Sequence, residues 1–228
     1  MFITNFIHSG RGAALAAVIT LALLLGSFVV FEPIVGRAAE EIFTIQQTIT
    51  AEISFYASTT AVTMVGSIAG VTGGEATGTA KAIVLTNNAT GYNMTMAFAS
   101  ATAMYRDGGQ GQIPNYSPTA TSAPDFEFAT ETFGQFAYSI LASTTGEVAS
   151  YFKDDASDCA TGSNETENRC WMAPSTTART IINSTLATPT SGSTSTIKFK
   201  VHVPNSPSPT IPTGTYTATA TLTAVTNP

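Results

Sequence analysis

The sequence predicts an all-β protein, an antiparallel β-sandwich preceded by an N-terminal hydrophobic helix. Three observations predict it. Beyond residue 40, apolar residues recur with period two in several separate runs. Threonine supplies much of the polar alternation, and its branched Cβ suits a pleated surface. Gly, Pro and Asn clusters punctuate the runs, and neither a βαβ rhythm nor a long amphipathic helix interrupts them. The same reading divides the chain into residues 1–38, a signal peptide or N-terminal membrane anchor, and residues 39–228, a single β-sandwich domain.

The leader comes first. Ala13 to Phe31 is an uncharged apolar run, preceded by Arg11 and followed by the helix breaker Pro33. Gly36 and Ala38 stand at the −3 and −1 positions of a small-residue cleavage site, which makes a secretory signal cut after Ala38. The run is also long enough, at about 20 residues, to span a bilayer uncleaved. Either way the remainder is exported. A pilin-type leader fits less well, because no Glu stands five residues into a mature helix.

Phe43 to Phe55 reads as the cleanest strand: Phe43, Ile45, Ile49, Ala51, Ile53 and Phe55 share a face, with Gln47 as the exception and the site of an expected bend or bulge. Ala61 to Ile68 reads as a weaker strand, ended by Gly70, Gly73 and Gly74. Lys81 to Phe98 reads as a central β-hairpin. Ala82 and Val84 oppose Lys81, Ile83 and Leu85; Tyr92, Met94, Met96 and Phe98 share the second face; Thr86 to Gly91 supplies the turn. Arg106 to Asp125, rich in Gly and Pro, reads as a long surface loop.

Phe126 to Leu141 reads as an aromatic strand whose Phe126, Phe128, Phe136, Tyr138 and Ile140 enter the core, with a bulge or close approach at Gly134. Thr176 to Thr188 reads as a short strand or an irregular segment. In the next strand Ile197, Phe199, Val201 and Val203 alternate with Lys198, Lys200 and His202. Pro204, Pro207, Pro209 and Pro212 stiffen the connection to a last strand, in which Tyr216, Ala218, Ala220, Leu222 and Ala224 face one way.

Composition excludes several classes. Charged residues are 11% of the 228-residue chain and hydrophobic residues 43%, the reverse of a disordered acidic chain. The net charge is −6 and no basic cluster exists, which argues against nucleic acid. Without the leader about 190 residues remain, enough for one sandwich or large barrel with a real core.

Two stretches carry a resemblance. Ile197 to Thr226, with Gly214-Thr215-Tyr216 opening the final strand, and the Thr86-Asn87-Asn88 … Gly91-Tyr92 turn resemble exported bacterial surface β-sandwich proteins, WxL-like or fimbrial-subunit-like. Phe133 to Tyr138 stands where such proteins carry a Trp-Gly-Tyr segment. The chain departs from the WxL family in its motif, because its only Trp, Trp171, precedes Met172. The resemblance implies a fold and an exported compartment, not wall binding through that motif.

Candidate sites are few. Cys159 and Cys170 are the only cysteines, and an even count in an exported chain predicts a disulfide. Asp154, Asp155, Asp158, Glu165 and Glu167 surround them, but without the spacing of a dedicated Ca²⁺ loop they read as a solvated acidic loop. His202 falls on the polar face of its strand, and no nucleophile elbow accompanies it. Glu127 and Glu131 read as marks of a wet face rather than a glycosidase pair. Five sequons, at Asn88, Asn93, Asn115, Asn164 and Asn183, carry no weight in so Ser/Thr-rich a chain.

The sequence therefore predicts no catalytic residue, cofactor or metal. It predicts a non-catalytic, exported bacterial cell-surface protein, structural or adhesive. Its partners are cell-envelope components, other surface proteins or itself, and its only membrane contact runs through the N-terminal segment. The alternative is a filament subunit that polymerises by strand exchange, with Phe43 to Phe55 as donor. A third reading is a carbohydrate-binding module presenting Tyr105, Tyr116 and Trp171.

Overall fold

The computed structural model describes residues 10–30, 44–119 and 124–228. A helix, α1 (Gly10–Val30), opens the chain, and among its described side chains Leu15, Val18, Leu21 and Leu23 are exposed. Among the described residues no helix is long and apolar enough to cross a membrane. The cleavage site at Gly36 and Ala38 lies outside the described residues. Contacts divide the chain into residues 1–48 and a compact unit, Ile49–Pro228.

That unit is all-β, and every strand pairing is antiparallel. Its strands are β1 (Ile53–Ser58), β2 (Ile68–Ala69), β3 (Gly73–Thr86), β4 (Tyr92–Phe98), β5 (Met104–Arg106), β6 (Gln112–Ile113), β7 (Gln135–Ala142), β8 (Arg179–Ser184), β9 (Ser193–Val203), β10 (Tyr216–Ala218) and β11 (Ala220–Thr226). The largest sheet runs β1-β3-β9-β7, with β2 paired to β3. A second runs β11-β4-β8 and a third β10-β5-β6.

The period-two reading of β4 and β9 is right about the buried face; in β3 the face of Ala82 and Val84 is the buried one, and β7 is buried on both faces from Gln135 to Ile140. Ala82 and Val84, the Tyr92-Met94-Met96-Phe98 face, Phe136, Tyr138 and Ile140, and Ile197, Val201 and Val203 all enter one core cluster. The largest sheet and the β11-β4-β8 sheet contribute to it together: Phe98 of β4 lies 5.9 Å from Phe136 and 5.8 Å from Tyr138 of β7.

Connectivity differs from the expectation at the centre. β3 and β4 do not form a hairpin; β3 pairs with β1 and β9, while β4 pairs with β8 and β11. The Thr86–Gly91 segment is instead a crossover between sheets. The physical reason is the side-chain hydrogen bonding of its asparagines. Asn88 donates through Nδ2 to the Gly91 carbonyl and to the Asn227 carbonyl, both at 2.8 Å, tying the turn to the end of β11. Asn87 donates to the Thr50 carbonyl at 3.1 Å and accepts from the Glu52 amide at 2.7 Å, tying it to the chain before β1.

Other strands are shorter than their sequence pattern. The predicted Phe43–Phe55 strand begins only at Ile53, and its irregularity lies between Phe55 and Ala57 rather than at Gln47. Ile45 and Ile49 are 85% and 82% exposed, so alternation upstream of Ile53 is not matched by a core to bury it. Phe43 lies outside the described residues. Ala61–Ile68 is largely irregular, with a bridge from Val65 to Thr77 and the start of β2. Phe126 and Phe128 precede the strand they were assigned to, which starts at Gln135. The Arg106–Asp125 loop is not all surface, since it contains β6 and buries Ile113 and Tyr116. The last strand is two, β10 and β11, in different sheets on either side of Thr219.

Candidate functional site

Cys159 and Cys170 form a disulfide. Of the acidic residues around it, Asp155, Asp158 and Glu167 are exposed as a solvated loop requires, while Asp154 is buried and Glu165 half-buried, and both are structural. Asp154 is fully buried; its Oδ1 accepts from the Ala156 amide at 2.9 Å, and its backbone exchanges two 2.9 Å hydrogen bonds with Asn164. Glu165 accepts from the Gly146 and Val148 amides at 2.8 and 3.2 Å, with Lys153 Nζ 3.9 Å away. Asp155 accepts from the Ser157 and Asp158 amides at 3.0 and 2.8 Å and from the Ser157 hydroxyl at 2.8 Å. Those donors favour the charged form and pull its carboxyl down to about 2. Among the described residues no three His, Cys, Asp or Glu side chains are grouped to hold a metal.

The outer face of the largest sheet carries a small aromatic cluster. Tyr116, Ala137 and Trp171 are buried there, with Phe128 and Ala129 packed against them. Phe128 stands 4.8 Å from Tyr116 and edge-on to Trp171 at 5.6 Å. The Tyr116 hydroxyl donates to Asp125 Oδ2 at 2.7 Å and accepts from the Ala129 amide at 3.0 Å. Trp171 Nε1 donates to the Asn168 carbonyl at 3.1 Å. This corrects the carbohydrate platform: of its three aromatics only Tyr105, 46% exposed, faces solvent, while Trp171 and Tyr116 are 3% and 2% exposed.

Beside this cluster Lys200 Nζ lies over the Phe128 ring, 4.6 Å from its centroid, and pairs with Glu75 at 3.0 Å. His202 is half-buried rather than fully on the wet face, edge-on to Phe128 at 6.1 Å, with Nδ1 buried and unpartnered. Burial pushes its imidazole below the ordinary value; Glu75 opposes that push and the Lys200 cation adds to it. Among the described residues no hydroxyl or thiol nucleophile is hydrogen-bonded to His202. Glu127 is exposed but lies outside any strand, where it pairs with Arg169 at 3.2 Å.

A second buried polar group escaped the sequence reading. Glu147 accepts from the Ser184 hydroxyl at 2.9 Å and from the Ser193 hydroxyl, bridging β8 and β9. Its buried neighbour Tyr92 has its hydroxyl raised, first by burial and then by the Glu147 charge, against the lowering effect of Ser193. Nothing local in Thr144-Thr145-Gly146-Glu147 signals this burial, since the partners come from strands 37 and 46 residues downstream.

One concavity among the described residues is apolar. A cleft of about 600 Å³ opens between Thr59–Met64 on one side and Thr215–Leu222 on the other, floored by Met96, Phe98, Phe136, Ile197 and Phe199. It presents aliphatic and aromatic carbon where the core cluster is left uncovered, and no titratable carboxylate or imidazole lines it. Such a surface recognises other apolar surface, not charge. No protein-family model matches the chain, and no curated protein matches it either.

Proposed function

We propose that this chain is a non-catalytic, exported cell-surface protein of a structural or adhesive kind, whose compact unit is a β-sandwich. The observation that supports this reading is the use to which its buried and half-buried acids are put. Asp125, Glu147 and Glu165 accept hydrogen bonds from amides or hydroxyls of other stretches of chain, and Asp154 accepts one from the Ala156 amide within its own loop. Carboxylates so engaged hold loops and strands in place. The disulfide fits an oxidising compartment, and the apolar run Ala13 to Phe31 supplies the route out of the cell. Envelope components or other surface proteins are the expected partners.

The test is cell fractionation with intact-mass measurement of the native protein. A chain beginning at Ala39 in the medium or at the surface, with the Cys159–Cys170 bond intact, supports a cleaved and exported module. A full-length mass in the membrane fraction, with the same disulfide, supports a tethered surface domain. Recovery from the cytosol with both thiols free overturns export.

One observation favours a second reading, a self-assembling surface filament. Residues 44–49 belong to no strand, and Ile45 and Ile49, on either side of Gln46-Gln47-Thr48, stay in solvent. An unpaired segment with exposed branched aliphatic residues can add to a free sheet edge. SDS-resistant multimers from the native fraction are the expected sign. A strictly monomeric native protein at all concentrations counts against it.

A further inference from the structure

One end of the main core is built from oxygen rather than hydrocarbon. The buried positions of β9 read Ser193, Ser195, Ile197, Val201 and Val203, so two serines stand where aliphatic side chains follow along the same face. They lie opposite Val84 and Ala82 of β3. Tyr92 opens β4 in another sheet, paired with Ser184 at the end of β8. Glu147 enters from the segment between β7 and β8 and accepts from the Ser184 and Ser193 hydroxyls. Ser184 Oγ also donates to the Leu186 carbonyl at 3.1 Å, which fixes the carboxylate from one side. All five side chains, Tyr92, Glu147, Ser184, Ser193 and Ser195, are buried.

Two of these groups have no partner. Tyr92 and Ser195 are 0% exposed, and neither the Tyr92 hydroxyl nor Ser195 Oγ makes a hydrogen bond of good geometry. The Ser193 and Ser195 hydroxyls and the Glu147 charge all act on the Tyr92 proton, so the phenol points toward them. Buried hydroxyls without partners are costly and rare. The negative charge is unbalanced as well. Among the described residues Glu147 forms no ion pair; Lys153, close to it in sequence, bonds Glu165 and the Gly146 carbonyl. Hydroxyls alone compensate a buried carboxylate poorly.

We infer that Glu147, Ser193, Ser195 and Tyr92 form a site for one monovalent metal cation, Na⁺ or K⁺, bound by the carboxylate and the hydroxyl oxygens. Hard cations take oxygen ligands, and this donor set holds neither the thiolate nor the imidazole that softer metals select. One carboxylate among neutral hydroxyls balances a single positive charge. A divalent ion would leave one charge uncompensated in the core. The cation satisfies the lone pairs of Tyr92 and Ser195 and ties β4 of one sheet to β9 of another through the Glu147 segment. Ser184 is a positioning residue, since it holds Glu147 by hydrogen bonding.

The test is urea unfolding of the native, disulfide-bonded chain, followed by far-UV circular dichroism in the chlorides of Na⁺, K⁺, Ca²⁺ and choline at one ionic strength. Na⁺ or K⁺ is expected to raise the midpoint above that in choline. The folding constant should grow about tenfold for each tenfold rise in cation above its dissociation constant. Ser195→Ala leaves both Glu147 hydrogen bonds in place and is expected to move this dependence to higher cation concentration. Glu147→Gln keeps the shape, removes the charge and is expected to abolish the dependence; where it does not fold, Ser195→Ala decides alone. A midpoint equal in Na⁺, K⁺ and choline overturns the site. A rise confined to Ca²⁺ overturns the monovalent assignment. A Na⁺ or K⁺ effect unchanged in the variants places the binding elsewhere on the chain and overturns it as well.

Discussion

Tyr116 shows how single polar atoms position the loops of this molecule. Its hydroxyl bonds Asp125 and the Ala129 amide while its ring packs on Phe128, so one side chain anchors both ends of the segment that crosses the outer face of the largest sheet. Burial and the Asp125 hydrogen bond both raise its pKa, which keeps the donor proton in place at any physiological pH. Tyr116→Phe keeps the ring and removes both bonds. It should cost about 1–3 kcal/mol, read from the urea midpoint. His202 supplies a pH dependence. Its imidazole titrates lower in the folded chain than in the unfolded one, so the unfolded state binds more protons as pH falls below the ordinary value of 6.5. Stability is present in full above that value and declines on the acid side. His202→Gln should flatten the urea midpoint against pH in that window. Asp155 acts lower, holding its contribution above 3.8 and losing it as pH falls toward about 2, so the two windows are separable.

Individual elements show where sequence patterns carried structural information and where they did not. Period two identified the buried faces of β4 and β9 because each is decided locally, by which side of a strand is apolar. Pairing is not local. Whether Thr86–Gly91 makes a hairpin or a crossover depends on bonds to Thr50, Glu52 and Asn227, residues a turn motif does not mention. The crossover still relies on Gly91, whose φ is +80° and whose added Cβ would lie 2.2 Å from the Ser184 carbonyl oxygen. Gly91→Ala should therefore lose about 1–3 kcal/mol through backbone strain alone, more once Ser184 is displaced. A urea titration checks it, with Ala89→Gly in the same turn as a control of small effect. The disulfide was legible from count and compartment together. Removing it as Cys159→Ser/Cys170→Ser should cost about 2–3 kcal/mol by loop entropy, seen as a lower midpoint that reductant reproduces in the wild type. The buried Glu147 and Asp154 were not legible, because acids are read as exposed unless their distant partners are known.

At the scale of the compact unit, one sheet serves two apolar clusters. Phe136, Tyr138 and Ile140 of β7 face the main core, while Ala137 between them faces Tyr116 and Trp171 on the outer side. β7 is consequently buried on both faces from Gln135 to Ile140, and the outer cluster is held by a strand that the main core also needs. A bridge from Tyr138 to Met172 ties the outer segments to that strand through backbone bonds, and one from Asp125 to Trp171 ties those segments to each other. An outer cluster of three buried residues is too small to persist alone, and the β7 surface it covers would be left bare without it. The two clusters should therefore unfold together. Trp171 is the chain's one tryptophan, so its fluorescence reports the outer cluster alone, while far-UV circular dichroism reports the strands of all three sheets. In urea the two signals should follow a single transition with the same midpoint and slope. If Trp171 fluorescence changes at lower urea than the dichroism, the outer cluster opens as a unit of its own. Tyr116→Phe should then lower the first midpoint and leave the second in place.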